Sequence, residues 1–521
     1  MSHADPARSE RLSRNVLSSI GAKLLYLASR FMLPPVILAY VTLEEYGIWS
    51  LTFVLIAYLG MGAFGVSNVY IRYVAAYSAS GEEHRIGDLL STGLTLVSGF
   101  GLICLVAVWF GLPGLLTLMS VPEAMMDTAF WLVFGTVVVF MLELSIGAFV
   151  YVLTGLQRIV LQNRIWVTSF LLETVLVIAF LVAGVGIMGL LYAFALRYLF
   201  SISANVWACF RALPGLRLSA SRFNREHVGL FLRFGGVVQL SGLLGMFLRS
   251  VEKVIAGVFL NVGAMGLFDV AQKFPIMSTS IPSSMNAAFL PAATQMHAEG
   301  RHADFVDLYL MSARQINLLT GLMMGFMAAF ATPLITAWLG PKPEFALAPF
   351  ILACFTLPFQ LNVLTGPAST VFRAQGTPAR ELLYPLSQLA LVAVFIGSGF
   401  VLFGIDVIVI TVAVALAMIL SALIYLGFTT HRLGVGQCRF LREALLPGLW
   451  PYLVGLMLHV ALQAWVTAHA DERLGSAFVL VVSGSLYCLT CGLVGWRCIL
   501  RPAERQFVLQ RLRPLLRLRF A

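Results

Sequence analysis

Apolar runs of about 20 residues recur along the chain from Val16 to Leu493, and each is long enough to cross the roughly 30 Å hydrocarbon core of a bilayer. Only 11% of the 521 residues are charged, against roughly 25% in average soluble domains. A single soluble core is therefore excluded. The runs are continuous rather than alternating, which excludes a transmembrane β-barrel. The sequence predicts an all-α polytopic membrane protein.

About 14 transmembrane helices fit these runs, with short polar loops between them. The first run follows a polar N-terminal segment and lacks the cleavage site of a signal peptide, so we expect it to remain as the first span. No outer loop is long enough to fold as a separate domain, which argues against a membrane-embedded polymerase or glycosyltransferase. The predicted spans are 16–39, 47–71, 89–110, 129–153, 165–183, 187–210, 235–259, 265–290, 308–338, 346–371, 382–402, 407–429, 444–467 and 475–496.

The basic residues lie almost entirely on one side of the predicted membrane. Of the 34 lysines and arginines, 26 are assigned to the N-terminus and the loops on its side, two to the opposite loops (Lys342 and Arg473) and six to the spans. Cytoplasmic loops carry the excess of positive charge in helical membrane proteins, so both termini are predicted to be cytoplasmic. The net charge of +10 then reflects topology and contact with anionic lipid, and no nucleic-acid partner is expected.

The two halves of the chain align without a gap when residue n of the first half is placed on residue n + 219. Two longer stretches, LTGLQR (153–158) and FRAQGT (372–377), are predicted to be equivalent in the alignment with a slip of two residues. Six spans separate the copies, and an even number preserves orientation, so the repeat is expected to be parallel, about an axis along the membrane normal. The matched pairs are Arg14 with Arg233, Arg30 with Arg249, Gly47 with Gly266, Gly81 with Gly300, and Asp88 with Asp307.

The repeat predicts two parallel six-helix lobes with a substrate site between them, as in some alternating-access transporters. Two extra C-terminal helices follow the second lobe. The predicted domains are a cytoplasmic N-terminus (1–14), an N-lobe (15–210), a basic cytoplasmic linker (211–234), a C-lobe (235–430), spans 13 and 14 (444–496) and a basic cytoplasmic tail (497–521).

Several cations lie inside the predicted spans, where a charge costs at least a few kcal/mol unless it faces a partner or a watery cavity. Glu252 is close enough to Arg249 to pair along one helix, and Asp269 is close enough to Lys273. Lys23, Arg30 and Lys253 are then left without a local anion, and unpaired cations aimed at a cavity favour an anionic ligand. The proposed cationic residues are Lys23, Arg30, Arg249, Lys253 and Lys273.

Helical spacing places these cations on shared faces. Lys23 and Arg30 are two turns apart, and the residues of span 7 that follow a 3-4-3-4 spacing are Gln239, Gly242, Met246, Arg249 and Lys253. The structural alternative is that Arg30 and Arg249 lie near span ends and reach the headgroups, and Arg197 is interpreted in this way.

The carboxylates of the spans have two open interpretations. Glu143 and Glu173 could carry a coupling proton, or they could pair with each other or with Arg197. Glu252 and Asp269 could likewise serve charge pairing. No metal ion or cofactor is expected, because the C-x-x-C of Cys488 and Cys491 lies in an apolar span without a second pair and is interpreted as small residues packing between helices.

Two stretches carry a resemblance to a known family. The paired prolines at 34–35 with EEYGIW (44–49) resemble the opening of Wzx-type oligosaccharide flippases, which belong to the multidrug/oligosaccharidyl-lipid/polysaccharide export superfamily. VEKVIAGVFLNVGAMGLFDVAQK (251–273) is similar to that family's passage from span 7 to span 8. The resemblance covers essentially the whole chain.

The resemblance implies a flippase of the bacterial inner membrane. Such proteins move undecaprenyl-diphosphate-linked oligosaccharide to the outer leaflet for O-antigen, capsule or exopolysaccharide synthesis, by lobes that rock between inward-open and outward-open states. It also implies that a cationic central cavity holds the anionic head, and that a polymerase and chain-length proteins act nearby. The positions that would hold the head are Lys23, Arg30, Arg249, Lys253 and Lys273.

Two members of the same superfamily remain alternatives. A peptidoglycan lipid-precursor flippase would carry a chemically similar substrate, whereas a cation-coupled multidrug exporter should show carboxylates without this cationic excess. The sequence contains no G-x-x-x-x-G-K-[ST] motif, so ATP hydrolysis through a P-loop is not expected. A proton or sodium gradient, the membrane potential or consumption of the product outside remain possible energy sources.

Overall fold

The computed structural model describes residues 6–60, 66–219, 222–233, 244–470, 472–502 and 504–506, and this part of the chain contains helices and turns but no strand. The helices are α1 (Pro6–Ile37), α2 (Leu43–Gly60), α3 (Val66–Ala79), α4 (Glu83–Leu118), α5 (Met126–Ile146), α6 (Phe149–Gly155), α7 (Ile159–Val182), α8 (Met188–Ala212), α9 (Arg225–Arg233), α10 (Val251–Phe259), α11 (Val262–Ala271), α12 (Lys273–Ser278), α13 (Ser280–Ala298), α14 (His302–Ala329), α15 (Ala331–Leu339), α16 (Ala348–Ala374), α17 (Leu383–Phe403), α18 (Val407–Arg432), α19 (Gln437–Phe440), α20 (Trp450–His469) and α21 (Arg473–Val494).

Most of the predicted spans are long apolar helices. Within the described residues, nine helical segments are long and apolar enough to cross a membrane, and α14 with α15, bent by 77°, makes a tenth if the pair is one span. These ten coincide with predicted spans 3–6 and 9–14. Predicted spans 1, 2, 7 and 8 are absent from this set; three of them contain lysines or arginines, and spans 2 and 7 extend into residues outside the description. The total of 14 therefore stays a prediction.

The chain divides into two compact units. The first comprises Met1–Val270 with Phe403–Ile410, and the second comprises Ala271–Leu402 with Thr411–Ala521. The first unit thus includes α10 and most of α11, which the sequence assigns to the C-lobe. The predicted domain boundaries stay a prediction, and the predicted N-terminus, linker and tail lie partly outside the described residues.

The internal repeat is confirmed by where the helices begin. Their first residues recur at the same offset that aligns the sequence, because equivalent turns end equivalent helices. The pairs of helix starts at this offset are Leu43 with Val262, Glu83 with His302, and Met188 with Val407.

The turns of the two repeats also share their backbone conformation. Gly81 and Gly300 have φ angles of 74° and 70°, in the left-handed region that glycine adopts without strain. Gln157 and Gly376 have φ angles of 59° and 69°, and they too are partners at the offset of the repeat. The predicted slip of two residues between LTGLQR and FRAQGT is therefore wrong, because the left-handed residue fixes the register there.

Each repeat buries an equivalent apolar core. In the first unit this core joins α3, α4 and α6 to the end of α8, and in the second it joins α13, α14 and α16 to α18. The two cores use the same positions, which explains why the repeat survives at low sequence identity: burial constrains apolar character more than the exact residue. The equivalent buried pairs are Val74 with Ala293, Ile86 with Phe305, Leu90 with Tyr309, Phe149 with Ala368, Val152 with Val371, Leu153 with Phe372, and Leu216 with Val435.

Candidate functional site

Three charged side chains meet between α1, α7 and α8. Arg30 donates two hydrogen bonds to Glu173, from Nη1 to Oε1 at 3.1 Å and from Nη2 to Oε2 at 2.5 Å. Arg197 Nη1 donates to the same Oε2 at 2.9 Å. We call Arg30, Glu173 and Arg197 the N-lobe charge cluster. One carboxylate serves two guanidinium groups here, so the cluster has a formal charge of +1.

The cluster forms because α7 places its polar and aromatic residues along the face that contacts α1. The Tyr26 ring lies 5.1 Å from that of Trp166, and the Ser29 and Thr174 hydroxyls are 2.7 Å apart. Positions 163, 166 and 170 of α7 follow at spacings of three and four residues, and 173 and 174 lie three and four residues after 170, as one helix face requires. Glu173 therefore lies on the face of α7 that contacts α1, where it reaches Arg30.

Aromatic rings flank both arginines. The Arg30 guanidinium lies 5.2 Å from the ring centroid of Tyr26, and that of Arg197 lies 4.7 Å from the centroid of Tyr198. The Nε atoms of Arg30 and Arg197 are buried without a hydrogen-bond partner among the described residues. Both arginines therefore retain donor capacity after binding Glu173.

The N-lobe charge cluster corrects two predictions. Arg30 was expected to lack a local anion, but Glu173 arrives from a helix more than 100 residues away in sequence. Arg197 was interpreted as reaching the headgroups, but its side chain is 10% exposed and bound to Glu173. Its position near the middle of α8 is the signal that could have identified it. The alternative that Glu173 pairs with Arg197 is confirmed.

Glu143 lies on α5 and is not part of these hydrogen bonds. Its Oε2 atom is buried and has no hydrogen-bond partner within the described chain. Gly147 packs against this carboxyl group, where an added Cβ would lie 2.7 Å from Oε2. Since both oxygens of Glu173 accept from arginines, Glu143 remains the candidate of the two for a coupling proton, and this role stays a prediction.

A second set of buried polar groups joins α10, α11 and α2. Lys253 Nζ donates to Asp269 Oδ1 at 2.5 Å, and the Tyr46 hydroxyl donates to Asp269 Oδ2 at 2.8 Å. α10 and α11 are joined by a short turn, so they form a helical hairpin that brings residues 253 and 269 together. We call Tyr46, Lys253 and Asp269 the hairpin cluster.

The hairpin cluster corrects the expectation that Lys253 lacks an anion. Asp269 and Lys273 lie on successive helices, because α11 ends at Ala271 and α12 begins at Lys273, and their pairing stays a prediction. Lys273 is half-buried. Tyr46, which the sequence analysis did not select, lies in the EEYGIW stretch (44–49) that carries the family resemblance.

The predicted face of span 7 is interrupted. Gln239 and Gly242 lie outside the described residues, and the chain turns at Arg249 and Ser250 before α10 begins at Val251. Arg249 is therefore outside the helix that carries Glu252, and the regular spacing does not extend across this turn. Arg249 is exposed and Glu252 is buried.

Of the remaining predicted cations, Lys23 lies on α1, is exposed, and precedes Arg30 by two helical turns. Of the predicted cations in the first unit, Lys23 and Arg249 are exposed, whereas the half-buried Arg30 and the buried Lys253 are paired. None of these placements tests whether the residues bind a substrate, which stays a prediction.

The fold defines the class of protein. The chain is similar to the lipid II flippase MurJ in an inward closed conformation, with a TM-score of 0.67 and 14% identity over 94% of this chain and 99% of that one. It is also similar to an inward-facing multidrug resistance MATE family transporter of the MOP superfamily, with a TM-score of 0.63 and 15% identity over 79% of this chain and 94% of that one. The chain is a multi-pass membrane protein with the fold of these transporters.

The sequence pattern of the family described as "Polysaccharide biosynthesis protein" matches residues 37–344, more than half of the chain. The chain therefore belongs to this polysaccharide biosynthesis family. It is 23% identical over 518 residues, covering 96% of this chain and 97% of the relative, to the protein of Bacillus subtilis (strain 168) named "Uncharacterized membrane protein EpsK". The resemblance to oligosaccharide flippases of the export superfamily is confirmed at the level of family and fold.

Proposed function

We propose that this protein is a flippase that moves a polyprenyl-diphosphate-linked oligosaccharide across the bacterial inner membrane by alternating access. Membership of the polysaccharide biosynthesis family and the transporter fold support this proposal. The observation that carries it is the N-lobe charge cluster, in which two arginines share one carboxylate and keep an excess of positive charge. An anionic lipid head has the complementary charge.

The cations have different roles in this proposal. Arg30 offers the planar, two-pronged donor geometry that suits phosphate oxygens, and a phosphate that approaches it competes with Glu173. Lys23 and Arg249 are exposed and need no other group to be displaced before they bind. We therefore assign first contact with the diphosphate to Lys23 and Arg249, and deeper binding to Arg30 and Lys253.

Energy coupling is assigned to Glu143. Its buried Oε2 atom has no hydrogen-bond partner in the described part of the chain, whereas Glu173 accepts from two arginines. If transport is driven by a proton gradient, Glu143→Gln should make the rate independent of that gradient. Glu143→Asp, which keeps a titratable carboxyl group, should retain the dependence.

The proposal is tested with the exposed cations, because replacing them leaves the buried ion pairs intact. In a host that lacks its own copy of the gene, the double variant Lys23→Gln with Arg249→Gln should lower surface polysaccharide at least tenfold. Lipid-linked oligosaccharide should accumulate in the cytoplasmic leaflet. Fractionation of the lipid intermediates and quantification of the surface polymer measure both effects.

Lys342→Gln is the matched control, since Lys342 is also an exposed lysine but lies in a predicted outer loop. It should leave surface polysaccharide unchanged. Normal polymer and no lipid intermediate in the Lys23→Gln with Arg249→Gln variant, at normal protein abundance, would show that these cations do not bind the transported lipid.

A further inference from the structure

Helices α2 and α11 cross at two glycines that the internal repeat makes equivalent. Gly47 faces the backbone carbonyl of Val262 so closely that a Cβ atom would not fit. At Gly266, an added Cβ would lie 2.9 Å from the carbonyl oxygen of Leu43 and 3.2 Å from Cα of Gly47. Leu43 and Val262 are also repeat partners, so the contact is the same when viewed from either helix.

Gly47 contacts Val262, and their repeat partners Gly266 and Leu43 contact each other in the same way. Such a reciprocal pair of contacts defines a local two-fold axis. The axis passes between Gly47 and Gly266, where the backbones approach as closely as small residues permit. It lies near the first turns of α2 and α11. In the predicted topology this is the outer side of the membrane, because α2 follows a span that starts in the cytoplasm.

In both helices, side chains of the same helix end accept hydrogen bonds from backbone amides of the first turn at this crossing. Thr42 and Glu45 form a capping box, with the Glu45 amide donating to Thr42 Oγ1 at 3.2 Å and the Thr42 amide donating to Glu45 Oε2 at 2.8 Å. In the second repeat Asn261 Oδ1 accepts from the Ala264 amide at 2.8 Å. Thr42 and Asn261 are again repeat partners. These caps do not depend on the opposite helix.

Two tyrosine hydroxyls of α2 join it to the hairpin and its preceding turn. Tyr46 donates to Asp269, and the Tyr58 hydroxyl lies 3.1 Å from Ser250 Oγ. The Lys253–Asp269 ion pair lies wholly within the hairpin of α10 and α11. Separation of α2 from α11 would therefore break hydroxyl hydrogen bonds and leave this ion pair and both helix caps intact.

We propose that the Gly47–Gly266 contact is a reversible lock, which closes the transport route on the predicted outer side and opens once in each transport cycle. Glycines approach closely without interlocking side chains, so the surfaces can part without rotamer changes, and the caps and the ion pair remain formed. This inference rests on the proposed transport function. Asp269 is a positioning residue in the lock, because it holds Tyr46 across the contact and Lys253 within the hairpin.

A disulfide across the crossing tests the lock. An added Cβ at residue 263 would lie 3.5 Å from Cγ of Glu44, the position that Sγ of a cysteine at residue 44 would occupy, so the two cysteine side chains would be in contact. In a functional full-length variant whose seven cysteines are replaced, Glu44→Cys with Gly263→Cys should crosslink on oxidation. Surface polysaccharide should then fall at least tenfold and recover when the disulfide is reduced.

The control pair is Gly101→Cys with Met141→Cys, which joins α4 to α5 within the N-lobe. An added Cβ at residue 101 lies 3.5 Å from the Cβ of Met141, so this disulfide should form equally well. Because it lies away from the crossing, its oxidation should leave polysaccharide export unchanged. Continued export by the crosslinked Glu44→Cys with Gly263→Cys protein would overturn the lock.

A second measurement tests whether the lock opens and closes, even if the transported lipid is not the one proposed. Spin labels attached at residues 44 and 263 of the purified full-length protein in lipid nanodiscs should report two distances, one for each state of the lock. Gly47→Leu should enrich the longer distance. A single short distance that Gly47→Leu does not change would overturn the lock, whatever the export assay shows.

Discussion

The N-lobe charge cluster illustrates how a buried charge is tolerated in an apolar segment. Glu173 is 3% exposed at its side chain, and both of its oxygens accept from arginines. Removing one partner of a buried ion pair leaves the other partner without compensation, which costs more than the intact pair contributes. The stability of this region should therefore depend strongly on Glu173.

Glu173→Gln should lower the free energy of unfolding by about 3 kcal/mol, because Arg30 and Arg197 would both lose their anion. Thermal or denaturant unfolding in detergent measures this. Glu82→Gln is the control, since Glu82 pairs with Arg85 at the surface and both side chains are 43% exposed; it should have little effect. Equal stability of the Glu173→Gln and Glu82→Gln proteins would contradict this account.

His227 on α9 is a buried histidine outside the membrane spans. Its Nε2 atom lies 3.3 Å from the Tyr77 hydroxyl, and burial lowers the pKa of the imidazole, an effect to which Arg85 adds and which Asp88 and Glu226 oppose. The folded chain therefore binds the proton less readily than the unfolded chain. Its contribution to stability is fully present above the unfolded pKa of about 6.5 and is lost as the pH falls through the lower folded pKa.

We expect acidification below about pH 6.5 to loosen α9 from α3 and α4, measured as protease cleavage near residue 226 or as a falling unfolding temperature. His227→Gln should weaken this pH dependence. His84→Gln is the control because His84 is exposed, and it should leave the dependence unchanged. The idea would fail if the His227→Gln and parent proteins lost stability in parallel.

At the scale of elements, Arg314 attaches the two C-terminal helices to α14. Its Nε donates to Glu504 Oε1 at 3.0 Å, Nη1 to the carbonyl of Glu443 at 3.1 Å and Nη2 to the carbonyl of Ile499 at 2.6 Å. Both carbonyls belong to π-helical segments, Leu441–Leu445 and Gly495–Ile499. Arg314 is thus buried within α14, and its guanidinium binds these helix ends.

Arg314→Ala should destabilise the attachment of α20 and α21 by about 3 kcal/mol, because the three hydrogen bonds that this buried arginine donates are lost together. Arg314→Lys should not restore it, since one ammonium cannot reproduce the planar fork. Proteolysis of the tail after residue 500 measures the attachment. Arg301→Ala, which removes an exposed arginine near the start of α14, should leave cleavage unchanged; a matching rise in cleavage would contradict the role of Arg314.

The segment after the last helix of each lobe folds back onto that lobe. Arg222 Nη1 lies 3.2 Å from Asp88 Oδ1, and Arg439 Nη2 lies 3.1 Å from Asp307 Oδ1. Asp88 and Asp307 are repeat partners, so the two lobes use the same aspartate to hold the segment that follows. The predicted basic linker is thus in part a packed segment, in which the Asn224 amide donates to Thr92 Oγ1 at 3.0 Å.

At the scale of the whole molecule, the orientation in the membrane follows from the distribution of basic residues. In a cysteine-free background, Glu472→Cys should react with a membrane-impermeant maleimide in intact cells. Arg217→Cys, in the predicted cytoplasmic linker, should react only after permeabilisation. Both positions are exposed, so the difference reports sidedness rather than burial. Labelling of residue 217 in intact cells would overturn the predicted topology.

Much of the fold could be predicted because it depends on features that are local or periodic. Apolar length defined ten of the spans, and the constant offset of the repeat placed Gly47 opposite Gly266 in the alignment before any contact was known. The pairing of charges could not be predicted in the same way. Arg30 finds Glu173 across more than 100 residues, and helical spacing within one segment carries no information about such a partner.

The sequence by itself determined the class of fold, the expected orientation and the repeat, because hydrophobic length, basic residues and internal similarity act segment by segment. Only the tertiary structure decided which charges neutralise each other. It paired Lys253 with Asp269 across a helical hairpin, and it brought Gly47 against Gly266. The physical reason is that burial forces each charge to take the partner that packing places nearest, and packing depends on all the helices together.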